Sequence, residues 1–207
     1  VITMQPVLEA GPADGFALWP AAEAEPFGFF AINGELTPAE IGTALMCVAS
    51  CNDLDPEPDG RPPRPADPIG AFLHGLLTFD TVFAAGGLEV VDSASGVTVL
   101  PGCCSGLEEW RDWYDVLDGG GSAGFGHDPD ARAERQGDTV RIFRDVSQDD
   151  GPVIELPADE LRRLLSGVER DLTGFRDSAA GWLSRQLPGH AAATTAAIER
   201  ALGLPPA

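Results

Sequence analysis

Lysine does not occur in this 207-residue chain: all 13 basic side chains are Arg, set against 33 Asp and Glu, for a formal net charge of -20. No apolar run approaches the roughly 18 residues a membrane-crossing helix needs, so no such helix is expected. The N-terminus shows neither the basic start nor the apolar stretch of a secretory signal, and the expected location is cytoplasmic. Gly119, Gly120, Gly121, Gly124 and Gly126 lack the Lys-Ser/Thr pair that ends a phosphate-binding loop, and neither a Rossmann fingerprint nor an EF-hand spacing occurs. The carboxylate excess opposes attachment to phosphate backbones and anionic membranes, so neither nucleic acid nor membrane is expected as a partner. It admits a basic protein partner and serves solubility equally well. The lysine deficit, with 25 Gly and 18 Pro, fits the codon usage of a GC-rich genome.

What is present is unevenly placed. Residues 1–60 hold ten carboxylates (Glu9, Asp14, Glu23, Glu25, Glu35, Glu40, Asp53, Asp55, Glu57 and Asp59) and no basic side chain, whereas residues 138–207 are nearly charge-balanced. This divides the chain into an acidic, non-autonomous N-terminal lobe (1–60) and a main α+β domain (69–207). With 43% hydrophobic residues the chain can form a substantial core.

Residues 1–25, interrupted by Pro6, Pro12 and Pro20, read as an extended, partly mobile lead-in. Phe27 to Ile32 reads as an edge strand entering a turn at Asn33-Gly34. Thr37, Pro38 and Glu40 form a capping-box signature for a helix ending near Asn52. The Pro-rich stretch 53–68 is a loop. Residues 69–84 read as helix ended by Gly86-Gly87, with a partial strand reading open at the β-branched end, and 88–91 with 97–100 as a hairpin. Ser105, with Glu108 three residues on, reads as the cap of a helix carrying Leu107, Trp110, Tyr114 and Leu117, ended by Gly119-Gly120-Gly121. Residues 119–137 read as loop. Strands at 139–143 and 153–156 join across Asp149-Asp150-Gly151 and lead into a helix over 157–187 with an unbroken apolar stripe. A short helix over 191–202 follows. The expected architecture is one small antiparallel sheet, from 88–100, 139–143 and 153–156, covered by helices. The long helix packs on that sheet or forms a homodimer seam through 157–187.

Chemistry concentrates in a few side chains. Cys47 and Cys51 share a helix face, and Cys103 and Cys104 are adjacent; buried free thiols in a reducing compartment are the expectation for these four. Adjacent cysteines reach one zinc ion awkwardly compared with the usual C-x2-C pair. A thiol at a helix N-terminus, with His127 or His74 as base and Asp128 or Asp130 as orienting group, would make a cysteine nucleophile. His127 beside Asp128 and Asp130 also suggests a metal. His74 reads as a packed or boundary histidine, and His190 as solvent-facing or capping. Glu108 and Asp112 stand one turn apart without any sign of acid–base pairing.

The strip Pro101-Gly102-Cys103-Cys104-Ser105-Gly106-Leu107-Glu108-Glu109-Trp110-Arg111 resembles a signature of uncharacterised actinobacterial proteins, in which a Pro-Gly-Cys-Cys turn enters a Trp-rich helix. The resemblance takes in Gly126-His127-Asp128-Pro129 and covers roughly residues 86–183. It implies no established activity, so no catalytic role follows from it.

The balance of these readings is against an enzyme. It favours a non-enzymatic intracellular protein-binding or regulatory module, immunity-like in one version, with a functional surface of Cys103, Cys104, Glu108, Trp110, Trp113, His127 and Asp128 and no metal, cofactor or catalytic residue. The alternative is a metal-dependent or cysteine hydrolase centred on Cys103, Cys104, His127 and Asp128, which requires those groups to converge. Nucleic-acid mimicry by surface carboxylates is a third reading.

Overall fold

Alternation decides the first strand: Met4, Pro6 and Leu8 are buried, while Thr3 and Gln5 are exposed, along β1 (Ile2–Glu9). The computed structural model describes residues 1–13, 15–54, 60–119, 121–148 and 150–205. It shows that the chain opens with a central strand, not with a mobile lead-in. Pro6 misleads because it reads as a strand breaker. Its carbonyl accepts from the Ile32 amide, so its missing N–H falls where β2 (Phe29–Ala31) has already ended, and no bond toward the other neighbour is lost.

The expected capping box forms at α1 (Pro38–Cys51): Thr37 accepts from the Glu40 amide, and the Glu40 carboxylate accepts from the Thr37 amide at 2.7 Å. Much of the predicted loop before the next helix, residues 55–59, lies outside the described residues. Asp67 caps α2 (Pro68–Thr78), which stops six residues short of the expected end. Phe79 is already extended, and β-branched Thr81 and Val82 favour continuing that way. Gly86 and Gly87 therefore begin β3 (Gly86–Asp92) instead of ending a helix, and β3 turns through Asp92 into β4 (Val97–Val99) as expected. These strands make an antiparallel sheet in the order β2-β1-β3-β4.

Leu107–Asp112 is a 3-10 helix that passes into α3 (Trp113–Asp118). The expected Ser105 cap is not made: Ser105 is buried in the backbone turn, and Glu108 bends back toward the Ala84 amide. Gly119, at φ 113°, ends α3; Gly120 of the expected triple-glycine stop lies outside the described residues.

The stretch expected as loop contains β5 (Ser122–Gly124) and β6 (Arg132–Gln136). With β7 (Thr139–Phe143) and β8 (Val153–Pro157) they form a second antiparallel sheet in simple meander order. The expected single sheet is thus two, because β1 occupies the edge of β3 that a strand from the second half would need. Between β7 and β8, Asp145 binds the Ser147 amide and hydroxyl; Asp149 of the expected turn lies outside the described residues.

α4 (Ala158–Gln186) follows, then α5 (Ala191–Ala201). All nine members of the predicted stripe, from Leu161 to Leu183, are buried in the chain's own core. α4 packs on β1 of one sheet and on β7 and β8 of the other, so it joins the two sheets. The fold is α+β, two small antiparallel sheets covered by helices. No helix among the described residues is long and apolar enough to cross a membrane.

Phe175, fully buried at the middle of α4, is the sharpest test of this joint. Phe175→Ala is expected to cost about 3–5 kcal/mol in urea unfolding, against about 1 kcal/mol for Thr37→Ala at the α1 cap. Near-equal losses would contradict the strut role of α4.

Candidate metal centre

The two motif strips noted in the sequence meet in space. Cys103 and His127 form an isolated antiparallel bridge: the Cys103 amide donates to the His127 carbonyl at 2.6 Å, and the His127 amide donates back at 3.1 Å. One residue earlier, the Gly102 amide donates to the Phe125 carbonyl at 2.8 Å. Glycine is required on both sides. A Cβ on Gly102 would stand 2.6 Å from the His127 amide nitrogen, and one on Gly126 2.6 Å from the Gly102 carbonyl oxygen; Gly126 also sits at φ 92°. The His127 loop is pinned from below by Phe125, whose ring stacks on Trp113 with centroids 3.9 Å apart and planes 6° from parallel.

This clasp brings three ligand-type atoms together. The Cys103 and Cys104 sulfurs and a His127 ring nitrogen all lie within 4.8 Å of one another on an exposed surface. The two sulfurs are 3.5 Å apart, close to the edge of about 3.8 Å spanned by two thiolates on one tetrahedral zinc. Adjacent cysteines achieve this because Cys104 takes a left-handed backbone, φ 64°, which turns its side chain back beside its neighbour's. Asp128, also left-handed at φ 49°, accepts from or pairs with His127 Nδ1 at 3.3 Å. An ion on Nε2 would complete the carboxylate–histidine–metal order that fixes a ligand imidazole. Two of the three non-glycine residues with positive φ among the described residues therefore lie in this cluster or next to it. Such backbone is held only where its surroundings impose it.

The Cys103 thiol is pushed above its usual range, first by the hydrogen bond shared with the Cys104 thiol and next by that neighbour's charge. The shared hydrogen bond thus disfavours the free thiolate of Cys103. A bound cation reverses the balance by favouring the thiolate.

The expectation that the chain is more a binding protein than an enzyme is overturned by this Cys103-Cys104-His127 group. The expectation that all the thiols are buried fails at the same place, since Cys103 and Cys104 are exposed; Cys47 is buried and Cys51 half-buried on α1. Trp110 and Trp113, assigned to a functional surface, are core: Trp110 Nε1 donates to the Leu202 carbonyl, and Trp113 supports Phe125. Glu108 lies apart, half-buried against Ala84, and burial raises its carboxyl above the ordinary range. His74 is buried as expected, with Nε2 2.9 Å from the Pro62 carbonyl, and His190 occupies the α5 cap position without a side-chain cap bond.

Beside the cluster lies a cleft of about 500 Å³, with Cys103 and Asp128 in its wall. Glu9, Leu100 and Pro101 reach it from the first-sheet side, and Arg144 and Pro152 from the connection between β7 and β8. Sequence reasoning missed Glu9 and Arg144, which carry no local motif and meet only through the packing of the two sheets. Comparison with protein-family models, with curated proteins and with solved structures finds no match to this chain.

Two outcomes test this geometry. Gly126→Ala is expected to lower stability by about 1–3 kcal/mol, the cost of forcing a side chain into that backbone, and to shift the His127 imidazole resonances; unchanged resonances would contradict the clasp. For Glu108 the raised carboxyl makes protonation favour the folded state, so the stabilisation is full below the unfolded-state pKa and is lost as pH rises through the higher folded-state value. Glu108→Gln is therefore expected to be more stable than the parent at pH 7, with the gap closing toward about pH 4. A gap that widens on acidification would contradict it.

Proposed function

We propose that this chain is a metal-dependent hydrolase whose ion is held by Cys103, Cys104 and His127 at the wall of the cleft. The observation that carries the reading is the convergence of two thiols and an imidazole, from two segments more than 20 residues apart in sequence, within 4.8 Å. Soft sulfur donors with one imidazole favour zinc over calcium or magnesium, which prefer oxygen. Three protein ligands on a four-coordinate ion leave one position for water or substrate, the pattern of catalytic rather than structural zinc. An ion held there by Cys103, Cys104 and His127 would supply an acidified water and polarise a carbonyl or phosphoryl oxygen.

The chain's own residues would divide the remaining tasks. Asp128 orients the His127 ring. Gly102 and Gly126 keep the two ligand strands at bridge distance. The cleft wall beside Cys103 receives the substrate. Cys103, Cys104 and His127 would hold the ion with little rearrangement, since their ligand-type atoms already lie within 4.8 Å of one another.

Chelator-stripped protein titrated with zinc is expected to take up one ion per chain. Cys103→Ser with Cys104→Ser should abolish that uptake, and Asp128→Ala should weaken it by about 10–100-fold. The zinc-loaded parent should hydrolyse 4-nitrophenyl acetate faster than the double variant. Equal zinc uptake by parent and double variant would sink the metal centre; uptake with equal hydrolysis by both would sink the catalytic reading.

A further inference from the structure

Arg144 lines the cleft as a cation without a carboxylate partner among the described residues. Three of the arginines on the second sheet have a carboxylate nearby: Arg132 faces Asp130 at 3.8 Å, Arg135 faces Asp138 at 4.0 Å, and Arg141 faces Glu155 at 2.9 Å. Arg144, at the end of the same strand, makes no ion pair among the described residues, although the chain carries 33 acidic side chains. The nearest acid in sequence, Asp145, is committed to Ser147 and Gln148. Arg144 instead lines the cleft that has Cys103 in its wall, together with the apolar surfaces of Phe29, Leu100 and Pro152.

We propose that Arg144 anchors an anionic group of the molecule bound in this cleft, a carboxylate or a phosphate, while the molecule's apolar body lies against Phe29, Leu100 and Pro152. The planar guanidinium can grip either anion through two parallel hydrogen bonds. Glu9 and Asp128, the cleft's acidic members, repel an anion placed elsewhere and so fix its orientation. A cleft of about 500 Å³ suits a small organic ligand. As a substrate anchor Arg144 rests on the metal-centre reading; as an anion site it stands without it.

The test uses calorimetric titration of the metal-free full chain with 4-phenylbutyrate, with phenyl phosphate and with neutral 4-phenylbutyramide. At least one anion is expected to bind about tenfold or more tightly than the amide, and the stronger of the two identifies which anion the site takes. Arg144→Ala should remove the preference and Arg144→Lys should keep part of it; Arg144 is exposed, so neither change should disturb folding, which a thermal melt verifies. Binding of the amide as tight as both anions, no anion binding at millimolar concentration, or an Arg144→Ala variant with an unchanged preference would overturn the proposal. Anion preference in a protein that takes up no zinc would overturn only the metal reading. Zinc-dependent hydrolysis with no anion preference would overturn only the Arg144 site.

Discussion

Two backbone hydrogen bonds between Cys103 and His127 hold the candidate site together. They exist because Gly102 and Gly126 let the two segments approach more closely than a Cβ at either position would allow. Everything chemically notable on this surface follows from that approach. It sets the imidazole beside the thiols, and the left-handed backbone of Cys104 and Asp128 aims the side chains on either side. The scaffold beneath is stiff: Trp113 and Phe125 stack, and Trp110 ties its helix to the Leu202 carbonyl. A ligand set built on a clasp between two buried anchors loses little conformational freedom when it closes on an ion.

The cleft is a product of larger-scale packing. The two sheets share no strand; α4 lies across both, and its buried stripe fixes their separation. The gap between sheet edges then becomes a concave surface with the end of β1 on one side and the β7–β8 connection on the other. An exposed thiol pair on a flat surface would have no such neighbour. Here Cys103, with Asp128 beside it, opens onto a space with apolar wall residues and Arg144, the usual composition of a small-molecule site.

How much of this was legible depended on how local each signal was. The α1 capping box, the β3–β4 hairpin and the α4 stripe each declare themselves within a few turns of chain, and each is present where its residues indicate. β1 was hidden by Pro6, whose effect depends on which neighbour its missing N–H faces. β5 and β6 were hidden because Ser122–Gly124 and Arg132–Gln136 are short and polar and bury little besides Ala133. The site was half legible: its residues were singled out as two motifs, but the bridge between them is long-range and no spacing rule announces it. Trp110 and Trp113 looked like surface features because aromatic helices can serve either role, and only burial distinguishes them.

X-ray absorption at the zinc edge of the reconstituted protein probes the central claim most directly, since it counts the ligands. The account predicts two sulfurs at about 2.3 Å with one imidazole nitrogen and one further light atom at about 2.0–2.1 Å. A shell of nitrogen and oxygen alone, or one unchanged by Cys103→Ser and Cys104→Ser, would contradict it.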